Sequence, residues 1–302
     1  MSRTRLRGIE LGGSRVAIEV PASVEWSWPG THYEPFVCAP EGAQVYVGVR
    51  VGTAPGMPRG GFVYQSASHR FEVAERGDGW IVAVYGPDGL ERTALFDAGF
   101  SEGEVILSPA AATSGIAPLE HPLDELLVLH RTVRGGGLVL RGSLVQQADR
   151  ALLFLGAKSP SGTDSREPQL PRRQSGAELP RAEQLVVLQM PDGARAVGAP
   201  WTRGTGPSGR FTAHLDGMHS IRPARAVFAD RLDRDDAVTE LMEHALAPIH
   251  DPLCAARCFD AAAAIVDRVP VVRLGLPEAK RVVSYTWGRS EKELAFAPPF
   301  SS

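Results

Sequence analysis

Leu152-Leu153-Phe154-Leu155-Gly156-Ala157-Lys158-Ser159-Pro160-Ser161-Gly162-Thr163 stands at the centre of the chain, and the rest of the organisation can be worked out from it. An apolar run that stops at a glycine reads as a strand running into a loop. Upstream, residues 138–145 form a second apolar run, and Gln146-Gln147-Ala148-Asp149 is a short enough connection to pair the two as a hairpin. Downstream, residues 185–190 and 194–198 flank Pro191-Asp192-Gly193, a turn sequence, and predict another hairpin. Short strands are expected at 224–229 and at 270–274.

Three helices punctuate this β-rich half. His121-Pro122-Leu123-Asp124-Glu125 opens the first, with Pro in the first turn and acids at the positive end of the dipole. Leu123, Leu126, Leu127, His130 and Val133 make its inner stripe, and Gly135-Gly136-Gly137 stops it. His130 on that stripe reads as a packing or capping residue, though a catalytic role is the sharper alternative. The second helix runs from Arg234 to about Ala247, with Val238, Leu241, Met242 and Ala245 facing inward. The third spans 251–268, with Asp251 as N-cap and Pro252 in the first position.

Residues 1 to about 118 read as β-rich. Residues 14–20, 44–51, 71–75, 80–85 and 92–96 are short alternating segments. Asp78-Gly79 and Pro87-Asp88-Gly89 supply the turns of two hairpins. The expected class is α/β: a β-rich N-terminal domain over 1–118, a second domain with a mainly β core and flanking helices over 119–288, and a flexible tail over 289–302.

The order of these pieces carries a resemblance. His121-Pro122-Leu123-Asp124-Glu125-Leu126-Leu127, Gly137-Leu138-Val139-Leu140-Arg141-Gly142-Ser143, Leu152-Leu153-Phe154-Leu155-Gly156, Gly198-Ala199-Pro200-Trp201, the acidic helix over 232–246 and Val269-Pro270-Val271-Val272-Arg273-Leu274 follow one another. Together they resemble the HPr kinase/phosphorylase-related P-loop kinases over about residues 121–285. The resemblance implies a nucleotide site at the end of the strand closing with Gly156, and Trp201 buried beside the second hairpin.

Set against that family, the site is degenerate. An active P-loop has Gly, four residues, then Gly-Lys-Ser/Thr, so that backbone N–H groups wrap the β-phosphate and the Lys reaches the β- and γ-phosphates. In this spacing only Gly156 and Thr163 remain, with Ser161 at the second Gly and Gly162 at the Lys; Lys158 fits only a shortened loop. The helix that should follow contains Pro168 and Pro171, so an irregular segment is expected from 158 to 180. The family's His at the end of the 138–140 strand is Arg141 here, and its Asp-Asp pair is Glu183-Gln184. Glutamine cannot take a proton. The resemblance therefore implies a pseudokinase, a non-catalytic binding or scaffold subunit with no cofactor, in which Arg141, Glu183 and Gln184 are vestigial catalytic positions and Gly156, Lys158 and Thr163 vestigial nucleotide positions. The alternative is an ATP-dependent serine kinase acting on a peptide or protein with Mg-ATP, using Lys158, Thr163 and Glu183.

Other features carry weaker signals. Arg166, Arg172, Arg173 and Arg181 crowd one segment and are the candidates for contact with a protein or peptide partner, against the bland reading of a solvated loop. Gly204-Thr205-Gly206-Pro207-Ser208-Gly209 reads as a surface loop. His214, Asp216 and His219 have a metal-like density without a fourth ligand, and Cys254 with Cys258 shares a helix face without a second pair. No metal is expected. A net charge of -3 argues against binding nucleic acid by bulk charge, and no stretch approaches the ~20 apolar residues of a membrane span. Residues 1–13 lack the apolar run of a secretory signal, so a cytoplasmic protein is expected.

Overall fold

A computed structural model describes residues 3–65, 70–156, 184–201 and 210–276. It is a mixed α/β structure with two sheets. By internal contacts the chain divides into two compact units: Met1–Arg134 with Ala247–Ala255, and Gly135–Leu246 with Ala256–Ser302.

The first unit holds β1 (Thr4–Leu11), β2 (Ser14–Pro21), β3 (Val37–Cys38), β4 (Val45–Val51), β5 (Phe62–Gln65), β6 (Arg70–Arg76), β7 (Gly79–Gly86), β8 (Gly89–Asp97) and β9 (Glu102–Leu107), then α1 (Pro109–Thr113) and α2 (Leu123–Arg134). Its nine strands lie in the order β3-β1-β2-β4-β9-β8-β7-β6-β5. Both expected hairpins, β6–β7 and β7–β8, are present in antiparallel register. Four of the nine strands, β1, β3, β5 and β9, were not among those expected. β1 pairs along its whole length with β2 across Gly12-Gly13, whose positive φ values suit a two-residue hairpin turn. β9 is rich in Glu and Gly, and it gains its place by pairing with β4 on one edge and β8 on the other.

A boundary at residue 118 would place α2 with the later strands, whereas the contacts group α2 with the first sheet. The cause lies in buried polar ties. Arg92 of β8 is 1% exposed and donates to the carbonyls of Ala117, Glu120 and His121, which anchors the segment leading into α2. The Tyr33 hydroxyl donates to the Asp124 carboxylate within α2 itself.

The second unit holds β10 (Leu138–Gln147), β11 (Arg150–Leu155), β12 (Gln184–Met190), β13 (Gly193–Val197), β14 (Thr212–Pro223), β15 (Phe228–Arg231), α3 (Arg234–His244), β16 (Ala245–Leu246) and β17 (Val271–Leu276). The helix α4 (Pro252–Val266) begins among residues of the first unit and continues into the second. The β10–β11 and β12–β13 hairpins stand where the turn sequences place them. Pairings β10–β11, β11–β14, β14–β13, β13–β12 and β12–β10 return to their starting point, so these five strands form a closed circuit. Closure removes free edges. β17 and β15 extend the sheet from the later half of β14.

Three expectations need correction here. β14, twelve residues long, was not foreseen, because His, Asp, Gly and Ser interrupt any β-type alternation; partners on both of its edges hold it instead. The strand expected at 224–229 lies at Phe228–Arg231. The helix from Arg234 ends at His244 rather than near Ala247, because Ala245 and Leu246 pair with Leu140 and Val139 of β10. Trp201 is half-buried, following the buried Gly198, Ala199 and Pro200. The tail over 289–302 and the irregular segment expected over 158–180 lie outside the described residues.

Candidate functional site

One end of the second unit's sheet gathers the positions that the resemblance marks. Arg141 of β10 pairs across the ladder with Gln184 at the start of β12. Gly142, next along β10, faces Leu155, and Gly156 follows at the end of β11 with φ +74, a conformation that favours glycine. A Cβ at Gly156 would lie 3.3 Å from the Ile221 carbonyl oxygen and 3.4 Å from the His244 ring. Leu140 pairs with Ala245, and His244, which precedes Ala245, feels the charge of Arg141. Arg141, Gln184 and Gly156 thus meet at one sheet end. Glu183, Lys158, Thr163, Arg166, Arg172, Arg173 and Arg181 lie outside the described residues.

The chemistry of this end is dominated by a residue the sequence did not single out. Glu240 of α3 is 2% exposed and accepts hydrogen bonds from the Ser220 hydroxyl, from Arg222 Nη2 at 2.6 Å and from Arg273 Nη2 at 3.0 Å. Arg222 also donates to Glu243. Burial alone would raise the Glu240 carboxyl, yet the donors Ser220, Arg273 and Arg222 outweigh it and hold the group below its ordinary range. Glu243 and Glu240 keep Arg222 charged. His244, 3.9 Å from Glu240, is pushed down by burial and by Arg222, which favours the neutral ring.

α3 therefore presents a different stripe from the expected one. Ala237, Glu240 and Leu241 are its buried residues, while Val238 and Met242 are half-buried. The available signal was an acid three residues after Ala237 and beside Leu241. It was masked by the acids of the helix start, where Asp233 caps the Asp236 N–H.

Glu240 is saturated by donors, Gln184 has no proton chemistry, and Arg222 and Arg273 are spent on carboxylates. Of the three arginines at this end, Arg141 is the exposed one that no carboxylate pairs among the described residues. Glu240, Glu243 and His244 bring three donor atoms within 4.8 Å. A cation there would have to displace two guanidinium groups.

The remaining candidates separate. His214 faces Asp216 at 3.4 Å, and Asp216 accepts from Arg150 Nε at 2.6 Å. The His219 ring stacks on Phe154 with centroids 5.1 Å apart, so these three do not form one metal-type group among the described residues. Cys258 is buried, and burial pushes its thiol up to about 11.

Searched against known protein families, the chain matches none, and it matches no curated protein. Among the described residues no helix is long and apolar enough to cross a membrane.

Proposed function

We propose that the chain is a pseudokinase, a non-catalytic binding or scaffold protein built on an HPr kinase-like domain. The reading rests on one observation. At the sheet end that would face a nucleotide in the family it resembles, the buried Glu240 takes up the charge of Arg222 and Arg273, while Arg141 and Gln184 stand where a catalytic His and carboxylate are expected. Phosphoryl transfer needs positive charge free to meet developing negative charge, together with a base for the accepting hydroxyl. At this end, among the described residues, Arg141 alone of the three arginines has no carboxylate partner, and Gln184 cannot act as the base. The ligand under this reading is a protein or peptide, and Arg166, Arg172, Arg173 and Arg181 are the proposed contacts.

The test is thermal stability with and without saturating Mg-ATP. A ligand that binds only the native state at a hundred times its dissociation constant adds ~2.7 kcal/mol, which is visible as a rise in melting temperature. No rise is expected. A clear rise would overturn the pseudokinase reading in favour of a serine kinase using Lys158, Thr163 and Glu183.

A further inference from the structure

We propose that His130, Asp251 and Cys254 form a binding site for a divalent transition-metal ion of the zinc type, a site independent of the pseudokinase reading. All three residues are buried, and their donor atoms lie within 4.8 Å of one another. All three belong to the first unit. A nitrogen, an oxygen and a thiol sulfur suit a borderline-soft ion such as Zn²⁺ better than Ca²⁺ or Mg²⁺, which take oxygen.

The decisive atom is His130 Nδ1. The residue is 0% exposed, and Nδ1 has no hydrogen-bond partner. It stands 3.7 Å from Asp251 Oδ2, beyond hydrogen-bond range. Bond lengths of ~2.0 Å to nitrogen or oxygen in a tetrahedral zinc site set donor atoms roughly 3.3 Å apart, so the His130 and Asp251 donors need close by only a few tenths of an ångström. An orphaned ring nitrogen in the interior is costly, and a metal would satisfy it.

The surroundings fix each donor. The His130 ring stacks on Phe100 with centroids 3.9 Å apart, and Nε2 lies 2.8 Å from His250 Nε2, whose Nδ1 lies 3.0 Å from the Tyr64 hydroxyl. Written with His130 Nε2–H donating to His250 and His250 Nδ1–H donating to Tyr64, this chain leaves a bare lone pair on His130 Nδ1. Such an outer hydrogen bond is how metal-ligating histidines are oriented. Asp251 Oδ1 accepts the Cys254 N–H at 2.9 Å, which caps α4 and brings the carboxylate and thiol to one side of its first turn. Arg134 donates to Asp251 Oδ2 at 2.7 Å. A carboxylate oxygen has a second lone pair, and the Arg134 side chain, 24% exposed, can also swing aside.

Charge is accounted for in both states once Arg134, 24% exposed, turns out to solvent as the ion takes its place beside Asp251. Without metal, Asp251 pairs with Arg134 and the Cys254 thiol is neutral. On binding, the thiol releases one proton to solvent, and Asp251 and the Cys254 thiolate together match the two charges of the ion. Water can take the fourth tetrahedral position.

The experiment is titration of the full-length, reduced protein with Co²⁺ followed by absorption. One equivalent should produce visible d–d bands and a near-ultraviolet thiolate-to-cobalt band, both erased by Zn²⁺. Cys254→Ser should remove the thiolate band, His130→Gln should weaken binding at least about tenfold, and Cys258→Ser should leave the spectrum unchanged. X-ray absorption of the zinc-loaded wild type provides a readout that needs no variant, with one sulfur at ~2.3 Å and the other donors at ~2.0 Å. Absence of a thiolate band in the wild type, its persistence in Cys254→Ser, its loss in Cys258→Ser, or a zinc shell without sulfur would each overturn the proposal.

Discussion

Asp124 is fully buried, and the Tyr33 hydroxyl and Glu125 N–H donate to its carboxylate. Burial nevertheless prevails and raises the carboxyl to about 7. An acid raised in the folded state favours the native structure while protonated, and that contribution is lost as pH climbs from the unfolded value towards 7. A shift of this size corresponds to as much as about 4 kcal/mol. Asp124→Asn keeps an acceptor for Tyr33 and cannot ionise. Its stability relative to wild type should therefore grow between pH 4 and 7 and level off above, as read from urea midpoints across that range; parallel curves would contradict the assignment. Glu240 behaves in the opposite way, since its charge is matched. Removing it in Glu240→Ala takes an acceptor from Arg273 and Ser220 while Arg222 keeps Glu243, and because both guanidinium groups reach solvent it should cost about 1–2 kcal/mol, with Glu240→Gln costing less, in the same urea assay. At this scale the sequence was informative where a strand pattern fixes neighbours. The resemblance marked Arg141 and Gln184 by counting from the apolar runs beside them, and the two pair in one ladder. Glu240 could not, because an acid inside an acid-rich helix looks solvated until its partners on β14 and β17 are known.

Elements were legible where turn chemistry is local. Asp78-Gly79, Pro87-Asp88-Gly89 and Pro191-Asp192-Gly193 each mark a hairpin that the structure contains. β14 was illegible because its stability comes from partners on both edges and not from its own alternation. Close strand contacts also give glycines different weights. A Cβ on Gly142 would stand 2.6 Å from the Phe154 carbonyl oxygen across the β10–β11 ladder, whereas one on Gly48 in β4 would meet nothing within 4 Å. Gly142→Ala must separate two backbones in the closed circuit and should cost about 1–3 kcal/mol. Gly48→Ala should be neutral or stabilise by about 0.5 kcal/mol, since it restricts the unfolded chain without strain. Chemical denaturation of the two variants side by side checks the contrast, and equal effects would mean that the β10–β11 spacing is not tight.

At the scale of the molecule, the first unit is assembled from two stretches that are distant in sequence. A chain read from left to right offers no hint that residues 247–255 return to the first sheet, which is why the expected boundary followed sequence order alone. The returning stretch brings His250, whose ring lies edge-on to Trp80 with centroids 5.3 Å apart and near Tyr64, and Asp251, which pairs with Arg134. A fragment ending at Arg134 keeps every strand of the first sheet but loses this cover. Trp80 and His130 would then be exposed on one side, and the Arg134 charge would lose its partner. Burial of a ring of this size contributes about 3 kcal/mol, a large part of the stability of a unit this small. Residues 1–134 expressed alone should therefore unfold at lower urea than the same unit in the full chain. Amide exchange in β7 should be faster by a hundredfold or so, the factor that about 3 kcal/mol implies. Adding residues 247–255 back through a short glycine-serine linker should restore much of that protection. Exchange in β7 of the bare fragment at the full-chain rate would show that the returning stretch contributes nothing, and that the first unit is complete at Arg134.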